Sequence, residues 1–124
     1  MLNEGLKYVS TVVVDITNSA LALGSGDMEV LATPAMVALM ENAAMKAVAE
    51  HLPQGSTTVG TQISTTHIKA SAMGAKVSAE AELIAVNGRE LKFLIKAYDE
   101  NGVIGEGTHT RFIVDRERFL SKLK

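Results

Sequence analysis

The sequence contains no cysteine and no tryptophan, and aromatic residues make up only 4% of its 124 residues. Without cysteine there are no disulfide bonds, no thiolate metal site and no thiol nucleophile, a composition typical of a reducing compartment. Because aromatic residues are so few, a core has to be built from the Ala, Val, Leu, Ile and Met side chains that dominate the hydrophobic 47% of the chain.

Excess charge and long apolar runs are also missing. The formal net charge of −2 argues against a nucleic-acid partner or a polybasic membrane-binding surface. Glu4 and Lys7 stand where a secretion signal requires an apolar run. No segment approaches the about 18 uncharged apolar residues that a membrane span needs. We therefore expect a cytoplasmic protein with no nucleic-acid and no membrane partner.

The size of the chain bounds its organisation. A length of 124 residues is typical of one domain, here residues 1–124, that buries about two thirds of its unfolded surface. One long helix and several strands cannot cover both faces of a sheet. Part of the sheet is therefore exposed unless a second copy of the chain packs on it. The composition therefore predicts a homo-oligomer and leaves open whether it is a homodimer or a tetramer.

Residues Ala32 to His51, ATPAMVALMENAAMKAVAEH, are predicted to form one long helix. Thr33 is a suitable N-cap, because its hydroxyl can accept from the free amides of the first turn, and Pro34 is a suitable first helical residue, because that position needs no backbone N–H. Apolar residues recur at helical spacing on one side: Met36, Met40, Ala43, Ala44, Ala47 and Val48. Glu41 falls at the margin of this stripe, so we expect its carboxylate to be at least half buried.

The rest of the chain has the period of strands. Strands are predicted at Lys7 to Ile16, Thr57 to Ala70, Lys76 to Val86, Glu90 to Tyr98 and Val103 to Val114, with a short helix from Asp115 to Lys124. The Asn-Gly pairs at Asn87 and Asn101 indicate tight turns, and Gly60 indicates a bulge or a close backbone approach. The order predicts an α+β fold, an antiparallel sheet curled around one long central helix.

Phosphate-loop, dinucleotide-binding and metal-ligand spacings do not occur, so the candidate site consists of a few polar residues in apolar surroundings. Glu41 is either a catalytic carboxylate, whose pKa and reactivity burial would change, or a rim residue paired with a Lys or Arg. Thr33 is either a helix cap or a site residue. His67 is either a structural strand histidine or a proton carrier.

The last strand carries a second polar pair. His109 and Arg111 share one face of it, and on their own they are interpreted as interface residues. Gly105 and Gly107 are interpreted as leaving room on that face for a partner or ligand.

Three segments together resemble a known family, the small hotdog-fold acyl-CoA thioesterases of the fluoroacetyl-CoA thioesterase branch. The first, LATPAMVALMENAA, contains Thr33 and Glu41 at the eight-residue spacing of that family's catalytic Thr and Glu. In the second, GSTTVGTQISTTHIKA, Gly60 and His67 stand at the positions of its active-site Gly and His. The third, VIGEGTHTRFIVD, resembles its last strand and includes Arg111.

The resemblance implies a dimer whose two sheets join, with active sites at the subunit interface and coenzyme A lying along it as part of the substrate, without a cofactor or metal. It implies that Glu41 attacks the thioester carbonyl or activates a water molecule, and that His67 holds or relays a proton and assists the thiolate leaving group. It further implies that Thr33 orients the carboxylate, that the Gly60 amide stabilises the oxyanion and that Arg111 contacts the acyl end.

One segment departs from the family pattern. Residues Ala20 to Leu31, ALALGSGDMEVL, are shorter than the family's lid and contain no aromatic residue. We therefore expect a small or medium acyl group in an aliphatic, Met-containing pocket rather than discrimination of fluorine. A non-catalytic acyl-CoA or acyl-ligand binding protein is the alternative from another functional class, and a hotdog dehydratase is a weaker one, because its Asp-and-His pattern is not evident.

Overall fold

A computed structural model describes residues 2–124 and contains one sheet, one long helix and two short helices in the described chain. The strands are β1 (Lys7–Val13), β2 (Ser56–Thr65), β3 (Lys76–Asn87), β4 (Glu90–Asp99) and β5 (Gly102–Asp115), and the α-helices are α1 (Ala20–Leu23), α2 (Thr33–Ala49) and α3 (Arg116–Ser121). All neighbouring strands are antiparallel, in the order β1-β3-β4-β5-β2. Strands β1 and β2 therefore form the two edges.

Helix α2 packs chiefly against β3 and β1 and forms the core with the inner face of the sheet. Its predicted apolar stripe is buried as expected, together with Leu39. The alternation predicted for β3 and β4 is also confirmed, because one face of each is buried: Val77, Ala79, Ala81 and Leu83 on β3, and Leu91, Phe93, Ile95 and Ala97 on β4. Phe93 is the largest fully buried side chain in a core that is otherwise aliphatic and Met-containing.

The ends of α2 differ from the prediction. Ala32 is the N-cap, without a side-chain cap, and Thr33 is already inside the first turn. Because Thr33 has a helical backbone, its hydroxyl does not cap the helix and instead contacts His67. The helix ends at Ala49, so His51 lies beyond it rather than in its last turn.

Strand β1 is shorter than predicted, ending at Val13 instead of Ile16. The reason is local, because the Asp15 carboxylate accepts a hydrogen bond from the Thr17 amide at 2.9 Å and caps a 3-10 turn over Ile16–Asn18. This turn and α1 lie between β1 and α2, where the sequence predicted no helix. They bring the chain back to the start of α2.

Strand β2 also ends early, at Thr65 rather than Ala70, which leaves His67 just past the strand. The register of β2 against β5 shifts between Gly60 and Gln62, which confirms the predicted bulge. Both predicted Asn-Gly turns are present, with positive φ angles of 63° at Gly88 and 126° at Gly102.

The glycines of β5 serve the sheet and not a ligand. A Cβ at Gly107 would overlap the backbone carbonyl of Ser64, and one at Gly105 would overlap the carbonyl of Thr66. The space that the sequence suggested for a partner or ligand is thus filled by the chain of β2 and the residues that follow it. That interpretation of Gly105 and Gly107 was wrong, because their missing side chains allow two backbones to approach.

Replacing Gly107 by Ala is therefore expected to lower the free energy of unfolding by about 2–4 kcal/mol, since the new methyl group pushes β2 away from β5. Urea unfolding followed by circular dichroism measures the effect. Thr108→Ala, at an exposed neighbouring position, is the control and should change stability by less than about 0.5 kcal/mol. Equal stability of Gly107→Ala and the parent would contradict the close approach.

Candidate active site

The first polar group of the candidate site lies at the start of α2. Thr33 Oγ1 and His67 Nδ1 are 2.7 Å apart, a hydrogen bond between residues 34 positions apart in sequence. His67 Nε2 is buried and has no hydrogen-bond partner among residues 2–124. Burial lowers the pKa of His67, opposed by a hydrogen bond with the backbone of Lys69. The imidazole is therefore neutral near pH 7, with one nitrogen free to accept a proton.

A cavity of about 260 Å³ opens beside this pair. Its lining consists mostly of short aliphatic side chains: Ala20, Ser25, Val30, Leu31, Thr33, His67, Ile68, Lys69 and Ala70. The segment that the sequence identified as lacking aromatic residues supplies one wall. Aliphatic walls of this size suit a short apolar group better than a flat aromatic one.

The second polar group surrounds Gly60 in β2. A Cβ at this position would lie 3.0 Å from Glu41 Oε2, 3.2 Å from His109 Cε1 and 3.4 Å from Arg111 Nη1. Three side chains from α2 and β5 therefore lie against the backbone of Gly60, in agreement with the predicted close approach. Glu41 is half buried, in agreement with its position at the margin of the apolar stripe. It lines a cavity of about 400 Å³ together with Met45, Gly60 and Arg111.

Arg111 is a buried cation held from one side. Only 7% of it is exposed. Its Nε donates to Thr58 Oγ1 at 2.7 Å, its Nη2 donates to the Thr58 carbonyl at 2.9 Å, and its Nη1 lies 3.2 Å from His109 Nε2. Burial lowers the pKa of Arg111 and the charge of Glu41 opposes that shift. Since a guanidinium stays protonated in proteins, Arg111 supplies a fixed positive charge that faces Glu41.

His109 lies beneath this cation, with 1% of its surface exposed. Its Nδ1 donates a hydrogen bond to the Gln62 carbonyl at 2.7 Å, so Nε2 is left as the acceptor for Arg111. The ring also packs on Phe93, with 6.2 Å between the ring centroids. Burial, with a smaller contribution from Arg111, lowers the pKa of His109, while the Gln62 carbonyl and Glu41 oppose the shift.

Because His109 is buried, we expect the free energy of unfolding to fall in mild acid. The folded protein keeps His109 neutral, whereas the unfolded chain binds a proton near the ordinary pKa of 6.5. Below that pH the unfolded state therefore binds more protons, and His109 lowers the free energy of unfolding by up to about 1.4 kcal/mol per pH unit. Urea unfolding at a series of pH values should give a shallower pH dependence for His109→Gln than for the parent. Parallel curves would contradict a neutral buried ring.

The two groups do not meet within one chain. Thr33 and Glu41 are eight residues apart in α2, which separates them by about 12 Å along the helix axis. The structure thus brings Thr33 together with His67, and Glu41 together with Gly60 and Arg111. It does not unite the five predicted site residues in a single chain.

Sequence reasoning missed one residue of the second group and misjudged two others when they were considered on their own. Thr58, which is 5% exposed and accepts two hydrogen bonds from Arg111, was not singled out. Its position two residues before Gly60, on the same face of β2, was the available signal. On their own, His109 and Arg111 were interpreted as interface residues, but both are buried within the protomer, and only the resemblance had named Arg111 as a site residue.

Two further structural findings concern the described residues. Among residues 2–124, no group of three or more His, Cys, Asp or Glu side chains is placed to hold a metal ion. Over the same residues, no helix combines the length and the apolar character that crossing a membrane requires.

Comparisons with known proteins point to one family. The family model described as fluoroacetyl-CoA-specific thioesterase matches residues 14–117. The fluoroacetyl-CoA thioesterase of Streptantibioticus cattleyicolor is 42% identical over 96 residues, which cover 77% of this chain and 69% of that protein. A solved structure of the fluoroacetyl-CoA thioesterase FlK is 34% identical with a TM-score of 0.92, covering 99% of this chain and 96% of that chain.

A more distant structure agrees in fold. A hot-dog-like protein from Thermanaerovibrio acidaminovorans is 18% identical with a TM-score of 0.87, over 97% of this chain and 89% of that chain. These similarities confirm the predicted hotdog fold, with its antiparallel sheet curled around one long helix. Because the family model and the 42% identical relative each cover most of the sequence, the chain belongs to the fluoroacetyl-CoA-specific thioesterase family.

Proposed function

We propose that the protein hydrolyses the thioester of a small or medium acyl-CoA to a carboxylate and free coenzyme A. Membership of the thioesterase family supports the reaction class. The observation that carries the proposal is the half-buried Glu41 carboxylate, whose Oε2 comes to within 3.0 Å of the Cβ position above Gly60 and faces the buried cation of Arg111. A partly dehydrated carboxylate beside a buried cation is suited to attack a carbonyl or to activate water.

Hydrolysis adds water across the acyl C–S bond, and two routes use the same residues. In one, a Glu41 oxygen attacks the carbonyl carbon, coenzyme A leaves as a thiolate, and water then cleaves the mixed anhydride. In the other, Glu41 takes a proton from water as the water attacks the carbonyl. In both, neutral His67 accepts a proton derived from the water that is consumed and passes it to the coenzyme A thiolate, and Thr33 orients the carboxylate by a hydrogen bond.

The remaining two site residues stabilise charge and position the substrate. The Gly60 amide stabilises the negative oxygen of the tetrahedral intermediate, since the absence of a side chain lets the substrate approach the backbone. Arg111 lines the same cavity as Glu41 and contacts the acyl end. The aliphatic cavity of about 260 Å³ beside His67 supports a short or medium acyl chain.

We further propose that the active site is completed in a homodimer. Thr33 and His67 of one protomer meet Glu41, Gly60 and Arg111 of its partner. This arrangement is supported by the separation of the two groups, about 12 Å along α2 in one chain. It is also supported by His67 Nε2, which is buried without a hydrogen-bond partner in the described part of its own chain. A twofold axis produces two identical sites.

The surfaces that a dimer would use are available in the protomer. Strand β2 is an edge strand paired only with β5, so a second β2 can extend the sheet. The side of α2 away from the core carries small or flexible residues, namely Pro34, Ala38, Met45 and Ala49. Such a surface allows a second helix to approach closely.

Thiol release from a panel of acyl-CoAs, from acetyl to long-chain, tests the proposed reaction. We expect catalytic release with the short and medium chains and a steep fall for long ones. Saturable acyl-CoA binding without any thiol would contradict the proposal and favour the acyl-ligand binding protein that the sequence left as the alternative.

A further inference from the structure

The proposed chemistry leaves one buried polar group without a role. His109 is 1% exposed, yet a hydrophobic side chain of similar size would fill its place against Phe93 without burying polar atoms. Burying a polar ring next to a cation is costly unless its hydrogen bonds are made. Both ring nitrogens are satisfied, one by Gln62 and the other by Arg111. The burial of His109 therefore depends on both hydrogen bonds, one with Gln62 and one with Arg111.

His109 contacts Nη1 of Arg111, the guanidinium nitrogen on the side that faces the Glu41 carboxylate. Thr58 accepts from Nε and Nη2, which anchors one side of the planar group. His109 accepts from Nη1, the nitrogen 3.4 Å from the Cβ position above Gly60, where Glu41 Oε2 is at 3.0 Å. Because the guanidinium is rigid and planar, a third acceptor fixes its rotation relative to Glu41.

We propose that His109 is a positioning residue, whose imidazole, anchored on the Gln62 carbonyl, holds Nη1 of Arg111 in the orientation that aligns the Glu41 carboxylate for reaction. The inference rests on the proposed function of Glu41. The charged groups that face His109 are Arg111 from its own strand and Glu41 from α2, while β2 presents the Gln62 carbonyl and β4 the Phe93 ring.

Two amide variants separate the contacts of the ring. Gln carries its amide oxygen about where Nε2 lies, so His109→Gln keeps an acceptor for Arg111 and loses the contact with Gln62. Asn carries its amide about where Nδ1 lies, so His109→Asn keeps the contact with Gln62 and loses the acceptor. We expect kcat to fall about 10–50-fold in His109→Asn, with KM within about threefold, and to stay within about threefold of the parent in His109→Gln.

A double-mutant cycle with Arg111→Met tests whether His109 acts through Arg111. On that background His109→Asn should cost less than about twofold in kcat, because the group that it positions is gone. Additive losses would overturn the inference, as would a His109→Asn variant with parent activity. His51→Gln, at an exposed position beyond α2, controls for histidine loss and should match the parent.

Nitrogen NMR of the imidazole supplies a readout that does not depend on turnover. We expect a protonated Nδ1 and an unprotonated Nε2 in the parent, and a shift of the Nε2 resonance in Arg111→Met. An unchanged Nε2 resonance would contradict the contact. If the parent protein has no thioesterase activity but the Nε2 resonance still shifts in Arg111→Met, the proposed function is refuted while the contact is retained. The two failures are therefore distinguishable.

Discussion

Replacing Glu41 by Gln is expected to lower kcat for acyl-CoA hydrolysis by about 10³-fold or more, with a much smaller change in KM. The amide has the shape of the carboxylate, but it neither attacks a carbonyl nor takes a proton from water at neutral pH. Both proposed routes therefore lose their essential group. Steady-state thiol release from a short-chain acyl-CoA measures the effect.

The matched control is Glu50→Gln, which makes the same change at the exposed C-cap of the same helix. It should leave kcat within about twofold of the parent. Size-exclusion chromatography should give the same oligomeric state for both variants, because neither change removes buried apolar area. A Glu41→Gln variant that retains more than about a tenth of the parent kcat would contradict the role given to Glu41.

Replacing Gly60 by Ala is expected to lower kcat about 10²-fold, since a misplacement of about 1 Å in a catalytic group has an effect of this order. The new methyl group would lie 3.0 Å from Glu41 Oε2 and 3.2 Å from His109 Cε1. The flexible carboxylate yields first and turns away from Arg111. Gly60 is not among the glycines with positive φ, so the effect comes from the methyl group and not from backbone strain.

Thr61→Ala is the control for Gly60→Ala, because Thr61 is the exposed next residue of the same bulge. It should have nearly the parent kcat. Crystallography or NMR of Gly60→Ala should show a displaced Glu41 side chain with β2 otherwise in place. Parent-like kcat for Gly60→Ala would mean that the position above Gly60 is not used in the reaction.

Elements with a regular local pattern were predictable from the sequence. The stripe of α2, the alternation of β3 and β4 and both Asn-Gly turns depend on residues that are neighbours in the chain. Element ends set by distant contacts were not. Thr33 looked like an N-cap because its hydroxyl suits that role, but the hydroxyl forms a hydrogen bond with His67, 34 residues away, instead. Gly105 and Gly107 of β5 were interpreted as leaving open space, because the sequence does not show how closely β2 and the residues after it approach them.

In the candidate site, too, the residues were predictable from the sequence but their arrangement was not. Each proposed residue was identified by its chemistry in apolar surroundings and by a resemblance to a family, and the family is confirmed. Their relative positions were not predictable, because the spacing of Thr33 and Glu41 in the helix gives only their separation along its axis. Thr58 was missed because a threonine does not stand out by type in a Thr-rich strand, and only its position on the same face of β2 as Gly60 indicated it before its buried partner Arg111 was known.

Subunit complementation tests the central claim, that each active site takes Glu41 from one protomer and His67 from the other. Glu41→Gln and His67→Asn are purified separately, found inactive, and then unfolded and refolded together so that mixed dimers form. Half of the dimers are then mixed, and each carries one intact site, which predicts about a quarter of the parent activity. Activity no higher than that of the two variants alone would contradict the shared site, because a site contained in one chain is not restored by mixing.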